Sequence, residues 1–204
     1  MLEGTKDAVF NVNGKTFAAG ANFGGTVKVD IKNYQGALTN ISGSNKTQAS
    51  YLETAKPQIS VTLNSVPDDI LAQLTGATKT DGGLYTNNIE KLPHVGLVAS
   101  ALRFGTDKDR AFVFPNCAGT VQNFSLSTDT DSKKTMATIQ IDFNALWSDK
   151  INASGGYMDV PSDDLSSVYT LLGWDKPDNT VGDFNADSAS KKGSEPISPV
   201  VHAG

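Results

Sequence analysis

The stretch that decides the fold runs from Ile59 to Asn64 and reads Ile-Ser-Val-Thr-Leu-Asn. Apolar and polar residues alternate along it, as in a β-strand with one buried and one solvated face. A short helix is predicted directly after it, over residues 66–76. Pro67 suits the first helical position, two aspartates follow at the positive end of the helix dipole, and Gly76 suits the end of the helix. The predicted helix buries three apolar side chains: Ile70, Leu71 and Leu74.

The same alternation recurs on both sides of this segment. Residues 27–32 alternate apolar and charged side chains, which indicates another strand. A hairpin is predicted before it, with Asn13-Gly14 as a type I′ turn. The second half of the chain favours a meander of antiparallel strands. Four strands are predicted there, over residues 94–104, 110–114, 121–127 and 135–143.

About eight short strands with one convincing helix predict a mainly β fold, an antiparallel sandwich or barrel with one flanking α-helix. A second short helix is possible near the C-terminus, over residues 163–172, with Ser162 as its N-cap and Gly173 as its stop. We place the folded domain at residues 1–174 and a polar C-terminal arm at 175–204. The second helix is expected to turn four side chains inward: Leu165, Val168, Leu171 and Leu172.

A polar run covers residues 42–50 and offers almost nothing to bury. We expect a long loop there, which inside a compact domain is usually functional or mobile.

Composition excludes several classes of protein. The 204 residues carry 17 basic and 22 acidic side chains, for a net charge of -5, and Arg103 and Arg110 are the only arginines. This argues against a protein that grips nucleic acid through its phosphates. Residues 1–128 hold ten acidic and eleven basic side chains, so the acidic excess lies in the last third. The sequence shows no signal peptide, and no stretch approaches the roughly 18 apolar residues of a membrane span.

Residues capable of chemistry are few and scattered. The single cysteine, Cys117, excludes a disulfide framework, and neither His94 nor His202 has a partner at motif spacing. Residues 183–187 match the first ligand positions of a calcium loop, but the later glycine and glutamate are missing. The sequence therefore predicts no enzyme, no catalytic residue, no cofactor and no metal site.

Residues 53–143 resemble the major tail protein, or tail tube protein, family of long-tailed phages with non-contractile tails. The resemblance depends on the order of several features. Glu53-Thr54-Ala55 leads into the strand at residues 58–63 and the helix with Pro67 and Gly76. After these come the turn Asp81-Gly82-Gly83, the segment Pro93-His94-Val95-Gly96-Leu97, the hairpin around residues 107–110 with its Phe112-Phe114 strand, and a last pair of strands.

The resemblance implies a β-sandwich subunit of six-membered rings. Stacked rings would form a tube through which DNA is ejected into the host, and the other partners would be the tape measure, terminator and distal tail proteins. The protein would then belong to the virion tail and assemble in the cytoplasm of the host bacterium. Contacts between rings are expected from the polar loop, with eight candidate residues: Ser42, Ser44, Asn45, Lys46, Thr47, Gln48, Tyr51 and Glu53.

A conduit for DNA should repel phosphates rather than bind them, so we expect the lumen to carry net negative charge. Asp30 and Asp142, on the polar faces of their strands, are the lumen-facing candidates. Two alternatives stay open: a tail terminator-like ring protein, and a carbohydrate-binding β-sandwich. The second would need exposed aromatic side chains along one groove.

Overall fold

The computed structural model describes residues 2–22, 24–43, 46–89, 91–125 and 137–177. It confirms a mainly β fold with short helices, one of them near the C-terminus. The first strands and helices are β1 Leu2–Val12, β2 Lys15–Ala18, α1 Ala19–Asn22, β3 Thr26–Lys32, β4 Leu38–Gly43, β5 Lys46–Leu52 and β6 Gln58–Leu63. The remaining ones are α2 Asp68–Thr75, β7 Thr78–Lys79, β8 Tyr85–Thr86, β9 Val95–Arg103, β10 Lys108–Ser125, β11 Thr138–Ala145, β12 Gly156–Pro161 and α3 Ser166–Leu172.

One antiparallel sheet dominates the fold, in the order β2-β1-β9-β10-β11-β6-β3, with β12 also paired to β10. The long strand β10 links two halves of this sheet. Its first part pairs with β9 and β12, and its second part, from Cys117, pairs with β11. We call β1, β2, β9, β12 and the first part of β10 the covered half. The open half consists of β3, β6, β11 and the second part of β10.

The two halves pack against each other around a shared core, and a second buried cluster lies between the covered half and α3. Phe10 and Leu97 of the covered half lie in one buried cluster with Val61 and Phe143 of the open half, and the Phe10 and Phe143 rings are 5.7 Å apart. Ile70 of α2 joins the same cluster. The sheet thus folds over on itself, which gives the predicted sandwich.

The turn prediction at Asn13-Gly14 is confirmed. Asn13 has φ 51° and Gly14 has φ 80°, the two positive values that a type I′ turn requires. The turn joins β1 to β2 in the register that pairs Val12 with Lys15.

Strand β10 corrects the meander prediction, which had two separate strands at 110–114 and 121–127. The structure has one continuous strand from Lys108 to Ser125. Pairing with β9 shifts register between Phe114 and Cys117, so the chain passes Pro115 as an irregularity rather than as a turn. Proline lacks the N–H that a regular ladder needs and is tolerated at such irregular positions. Residues 126–127 of the predicted strand lie outside the described residues.

Helix α2 matches its prediction closely. It covers Asp68–Thr75 and ends at Gly76, which has φ 80°, while Pro67 lies one position earlier than predicted, at the N-cap. Ile70 and Leu74 are buried, and Leu71 is half-buried against the core.

Helix α3 is shorter than predicted, since it begins at Ser166 and Leu165 rather than Ser162 is its N-cap. Gly173 ends it, as expected, with φ 63°. Leu171 was expected to point inward but is 53% exposed, and Tyr169 is buried instead. The buried face of α3 is centred on Val168 and Leu172 and includes Tyr169, so Leu171 lies beside it, toward solvent.

The segment 42–50, expected as a loop, corrects the sequence prediction most clearly. β4 and β5 form a two-stranded hairpin there, separate from the main sheet, with Leu38 opposite Leu52 and Ile41 opposite Ala49. Polar composition hid it because neither strand packs on the core of its own subunit. Ser44 and Asn45, which come between β4 and β5 in the sequence, lie outside the described residues.

Candidate assembly surfaces

The open half presents a polar face opposite the core. Its cross-strand register places four polar residues in one row: Asp30, Ser60, Asp142 and Thr120. Strand alternation causes this, because the intervening residues, such as Val61 and Ile141, point into the core. Both lumen-facing candidates, Asp30 and Asp142, therefore lie on the same face of the sheet, on the two strands that flank β6.

Hydrogen bonds fix the side chains of this polar face. The Ser60 hydroxyl donates to Asp142, and the Gln140 amide donates to Ser60 Oγ at 2.8 Å and to Asp142 Oδ1 at 3.0 Å. Lys28 Nζ lies 2.6 Å from Asp30 Oδ2. The face surrounds a shallow depression of about 290 Å³. It is an ordered polar surface without a deep cleft.

The net charge of the polar face differs from the negative charge that we expect for the lumen. Lys28 and Lys32 stand on the same strand as Asp30, with Asp142 two strands away. Among the described residues of this face, two lysines thus balance two aspartates. If this face lines a lumen, the lumen of the described strands is neutral rather than acidic.

The hairpin β4–β5, which we call the projecting hairpin, forms a second surface. Every residue of β5 is exposed. A two-stranded hairpin is marginally stable alone in water, so one with exposed apolar residues suits a contact with another molecule. The exposed large apolar side chains on it are Leu38, Ile41, Tyr51 and Leu52.

The structure brings the described ring-contact candidates together on the projecting hairpin and at its base. Ser42, Lys46, Thr47, Gln48 and Tyr51 are all exposed. Glu53 follows β5 and accepts a 2.8 Å hydrogen bond from the Thr39 hydroxyl, so it also fastens the base of the hairpin.

Sequence reasoning missed most of the apolar side chains of this surface. It selected Tyr51 together with seven polar residues, and it passed over Leu38, Ile41 and Leu52. The available signal was the recurrence of apolar residues on both sides of the polar run, which is typical of two strands joined by a turn.

A cluster of charged side chains joins β1 to β10 and to the loop before α3, and it stabilises the fold. Lys6 Nζ lies 2.8 Å from Asp109 Oδ2 and 2.7 Å from Asp163 Oδ1. Burial works to raise the pKa of Asp109, but hydrogen bonds from Lys6 and the Asp163 N–H outweigh it, and the pKa lies below its ordinary value. Nearby Asp7 has a raised pKa, because burial outweighs the hydrogen bonds from Gly20 and Ala8. This is a structural ion cluster that locks three segments together.

Both arginines are engaged within the subunit. Arg103 and Arg110 contact the same carboxylate, Asp159, with Arg110 Nε 2.9 Å from Asp159 Oδ1. Arg110 also stacks on the Tyr157 ring, 4.8 Å from its centroid. The hydrogen bond from Arg110 is the main reason that the pKa of Asp159 is lowered.

The remaining candidates for chemistry have ordinary structural environments. Burial raises the pKa of the Cys117 thiol to about 12, so it stays protonated. His94 Nδ1 lies 2.7 Å from Asn116 Oδ1. Within the described ranges, no three acidic, histidine or cysteine side chains are grouped as a metal site. His202 and the calcium-like residues 183–187 lie outside those ranges.

The tyrosines and tryptophans available to a carbohydrate-binding groove are scattered over the described part of the chain. Tyr51 lies on the projecting hairpin, Tyr85 beside α2, and Tyr157 on β12. Trp147 follows β11, whereas Trp174 packs onto the core against Gly96. This distribution gives no support to the carbohydrate-binding alternative.

A folded β-sandwich with an ordered polar face and an exposed apolar hairpin has the surfaces of a self-assembling structural subunit. The family model for phage tail tube proteins matches residues 9–166, and the chain belongs to that family. The match includes the covered half, the open half and the projecting hairpin. It confirms the resemblance and supports a structural role in the virion tail. A search of curated proteins finds no match. Among the described residues, no helix is long and apolar enough to cross a membrane.

Proposed function

We propose that this chain is the tail tube subunit of a phage with a long non-contractile tail, and that six copies form a ring. Stacked rings then make the tube through which DNA passes during ejection. The observation that carries the proposal is the family match, which spans the whole of the main sheet except the first part of β1. The subunit acts structurally, without catalysis or a cofactor.

In the proposed ring, the polar face of the open half lines the lumen and includes Asp30 and Asp142. In the described part of this face Lys28 is paired with Asp30, and serine and glutamine side chains are hydrogen-bonded to each other and to Asp142, so DNA would meet no cluster of unpaired cations there. Because phosphate binding depends on unpaired lysine and arginine, such a surface lets DNA slide. Neutrality is sufficient for this purpose, and net repulsion is not required.

The projecting hairpin makes contacts between stacked rings in this proposal. Its position outside the main sheet leaves it free to reach a neighbour, and its apolar residues supply the surface to be buried. The polar arm, residues 175–204, is a second candidate for contacts between subunits. The ends of the tube contact the tape measure, terminator and distal tail proteins, and assembly takes place in the host cytoplasm.

Negative-stain electron microscopy of the purified full-length chain tests this proposal. We expect long tubes built of stacked rings, either spontaneously or after concentration. Single rings that never stack would favour the terminator-like alternative. Monomers that persist at every concentration, salt and pH would overturn both.

A further inference from the structure

The projecting hairpin and a separate apolar groove lie at opposite ends of the same strands. At one end of the open half, Gln58 pairs with Lys32 and Asn144, and the hairpin leaves the sheet between β3 and β6. At the other end, Leu63 pairs with Ile139, which in turn pairs with Phe124. The groove begins at Phe124. If a second copy of the subunit lies beyond that end in the same orientation, the end that carries its hairpin faces this groove.

The groove has a volume of about 470 Å³ and lies between α2, the short strand β8 and the end of β10. Phe124 is 55% exposed there, although a large aromatic side chain is normally mostly buried. The other apolar lining residues are Leu71, Ala72, Ala77, Tyr85, Ile89 and Val121. The groove is therefore an apolar surface that nothing in the described part of its own subunit covers.

The charges of the two surfaces are complementary. Asp68 lines the groove at the start of α2, whereas the neighbouring Asp69 is already paired with Lys79 of its own subunit. The described strands of the projecting hairpin carry one charged residue, Lys46, near the tip. Docking of the hairpin would bring this lysine toward the acidic start of the helix, which favours one orientation over its reverse.

We propose that the projecting hairpin of one subunit docks in the α2–β8–β10 groove of a subunit in the next ring. The inference deepens the proposed function and rests on it. A contact between two different surfaces of the same chain leaves one of each surface free, so between stacked rings it can repeat along the tube axis. β5 has seven residues, and at about 3.3 Å per residue it extends about 23 Å, which is the length of strand available for this contact.

Cross-linking of assembled protein tests this docking. Ala49→Cys places a thiol on the exposed hairpin, and Asn87→Cys places one at the exposed rim of the groove. The native Cys117 is a suitable background because its buried thiol does not react. In the double variant, a short bismaleimide should join hairpin to groove from copy to copy and give a ladder of covalent multimers on a denaturing gel.

The matched control is the double variant Ala49→Cys and Leu171→Cys, since Leu171 is exposed on α3, on the covered half. It should give no ladder. The docking is overturned if tubes form but the Ala49→Cys and Asn87→Cys variant stays uncross-linked, or if the control variant gives an equal ladder. Either result leaves the tube proposal standing. A wild-type chain that forms no rings or tubes overturns both.

A second variant does not depend on cross-linking. Phe124→Ser should raise the concentration at which tubes form by about tenfold, the effect expected for truncating a central interface residue. Leu171→Ser, which removes a similarly exposed apolar side chain, should leave that concentration unchanged. Circular dichroism and thermal unfolding of both monomers would show that they fold. Equal tube formation by folded Phe124→Ser and wild type would contradict the docking.

Discussion

The two halves of the main sheet differ in how many faces of their strands are buried. In the covered half, residues 95–100 of β9 are all buried, because one face meets the open half and the other lies under α3. In the open half, β6 alternates between buried and partly exposed residues. One half is therefore committed to the stability of the subunit, while the other keeps a free polar face. Substitutions of the same chemical type should have unlike effects in the two halves.

Leu172→Ala should have the largest effect on stability. Leu172 is the last residue of α3 and is fully buried against the covered half, so truncation loses apolar contact and leaves a cavity, at a cost of about 3 to 4 kcal/mol. Urea denaturation of the monomer measures the free energy of unfolding. The neighbouring Leu171→Ala is the matched control and should cost less than about 1 kcal/mol, because Leu171 is mostly exposed. Equal losses for the two variants would show that α3 does not cover the sheet as described.

Lys6→Met should have the next largest effect. Removal of the ammonium group leaves the buried Asp109 carboxylate without its counter-ion, and we expect a loss of about 2 kcal/mol at neutral pH. The value is below that of a fully buried pair because Lys6 remains partly exposed. Asp109→Asn is the comparison variant, since it removes the buried charge and keeps the side-chain shape.

The pH dependence of that loss follows from the lowered pKa of Asp109. A carboxyl with a depressed folded pKa adds stability above its unfolded pKa, and this stability is lost as pH falls through the folded value. The difference between wild type and Lys6→Met should therefore be largest near neutral pH and shrink in acid, below about pH 4. The raised pKa of Asp7 acts in both proteins and largely cancels in this difference. A gap that is constant from pH 7 to pH 3 would contradict the ion-pair account.

The amino-acid sequence was sufficient to predict the segments that satisfy local rules. The Asn13-Gly14 turn and the α2 helix have residues whose backbone preferences act within a few positions, and alternation identified β3, β6 and β11. The continuity of β10 could not be predicted in this way, because Pro115 is a local signal for a break that long-range pairing with β9 overrides. β12 was missed for the same reason, since its pairing with β10 is a long-range contact.

The candidate surfaces were predictable to a similar degree. Alternation placed Asp30 and Asp142 on polar strand faces, but their alignment through Ser60 depends on cross-strand register, which the sequence does not encode locally. The projecting hairpin was expected as a loop because its strands bury nothing in their own subunit. The apolar groove combines α2, β8 and β10, and only the folded structure brings them together.

Neutralising the two aspartates of the polar face should change DNA retention more than stability. In the double variant Asp30→Asn and Asp142→Asn, the hydrogen bonds of Ser60 and Gln140 keep an acceptor, so we expect a loss of about 1 kcal/mol or less. Lys28 and Lys32 would then be unbalanced, and assembled tubes should retain DNA in a salt-dependent way. Co-sedimentation of tubes with DNA across a salt series measures this.

The control for DNA retention is the double variant Asp81→Asn and Asp107→Asn, which neutralises two exposed aspartates away from the polar face. It should leave DNA retention at the wild-type level. Equal DNA retention by both double variants would contradict the proposal that the polar face lines the lumen.

The smallest effect is expected from Lys28→Met, the open-half counterpart of Lys6→Met. Lys28 also lies within ion-pair distance of an aspartate, Asp30, but both side chains are well exposed. Water solvates Asp30 when its partner is removed, and such surface pairs contribute about 0.5 kcal/mol or less. Urea denaturation should therefore show almost no change in the free energy of unfolding at neutral pH, and the difference from wild type should not vary as the pH is lowered. A loss as large as that of Lys6→Met would mean that the polar face is already buried in the protein as purified, and sedimentation of the same sample would show whether assembly buries it.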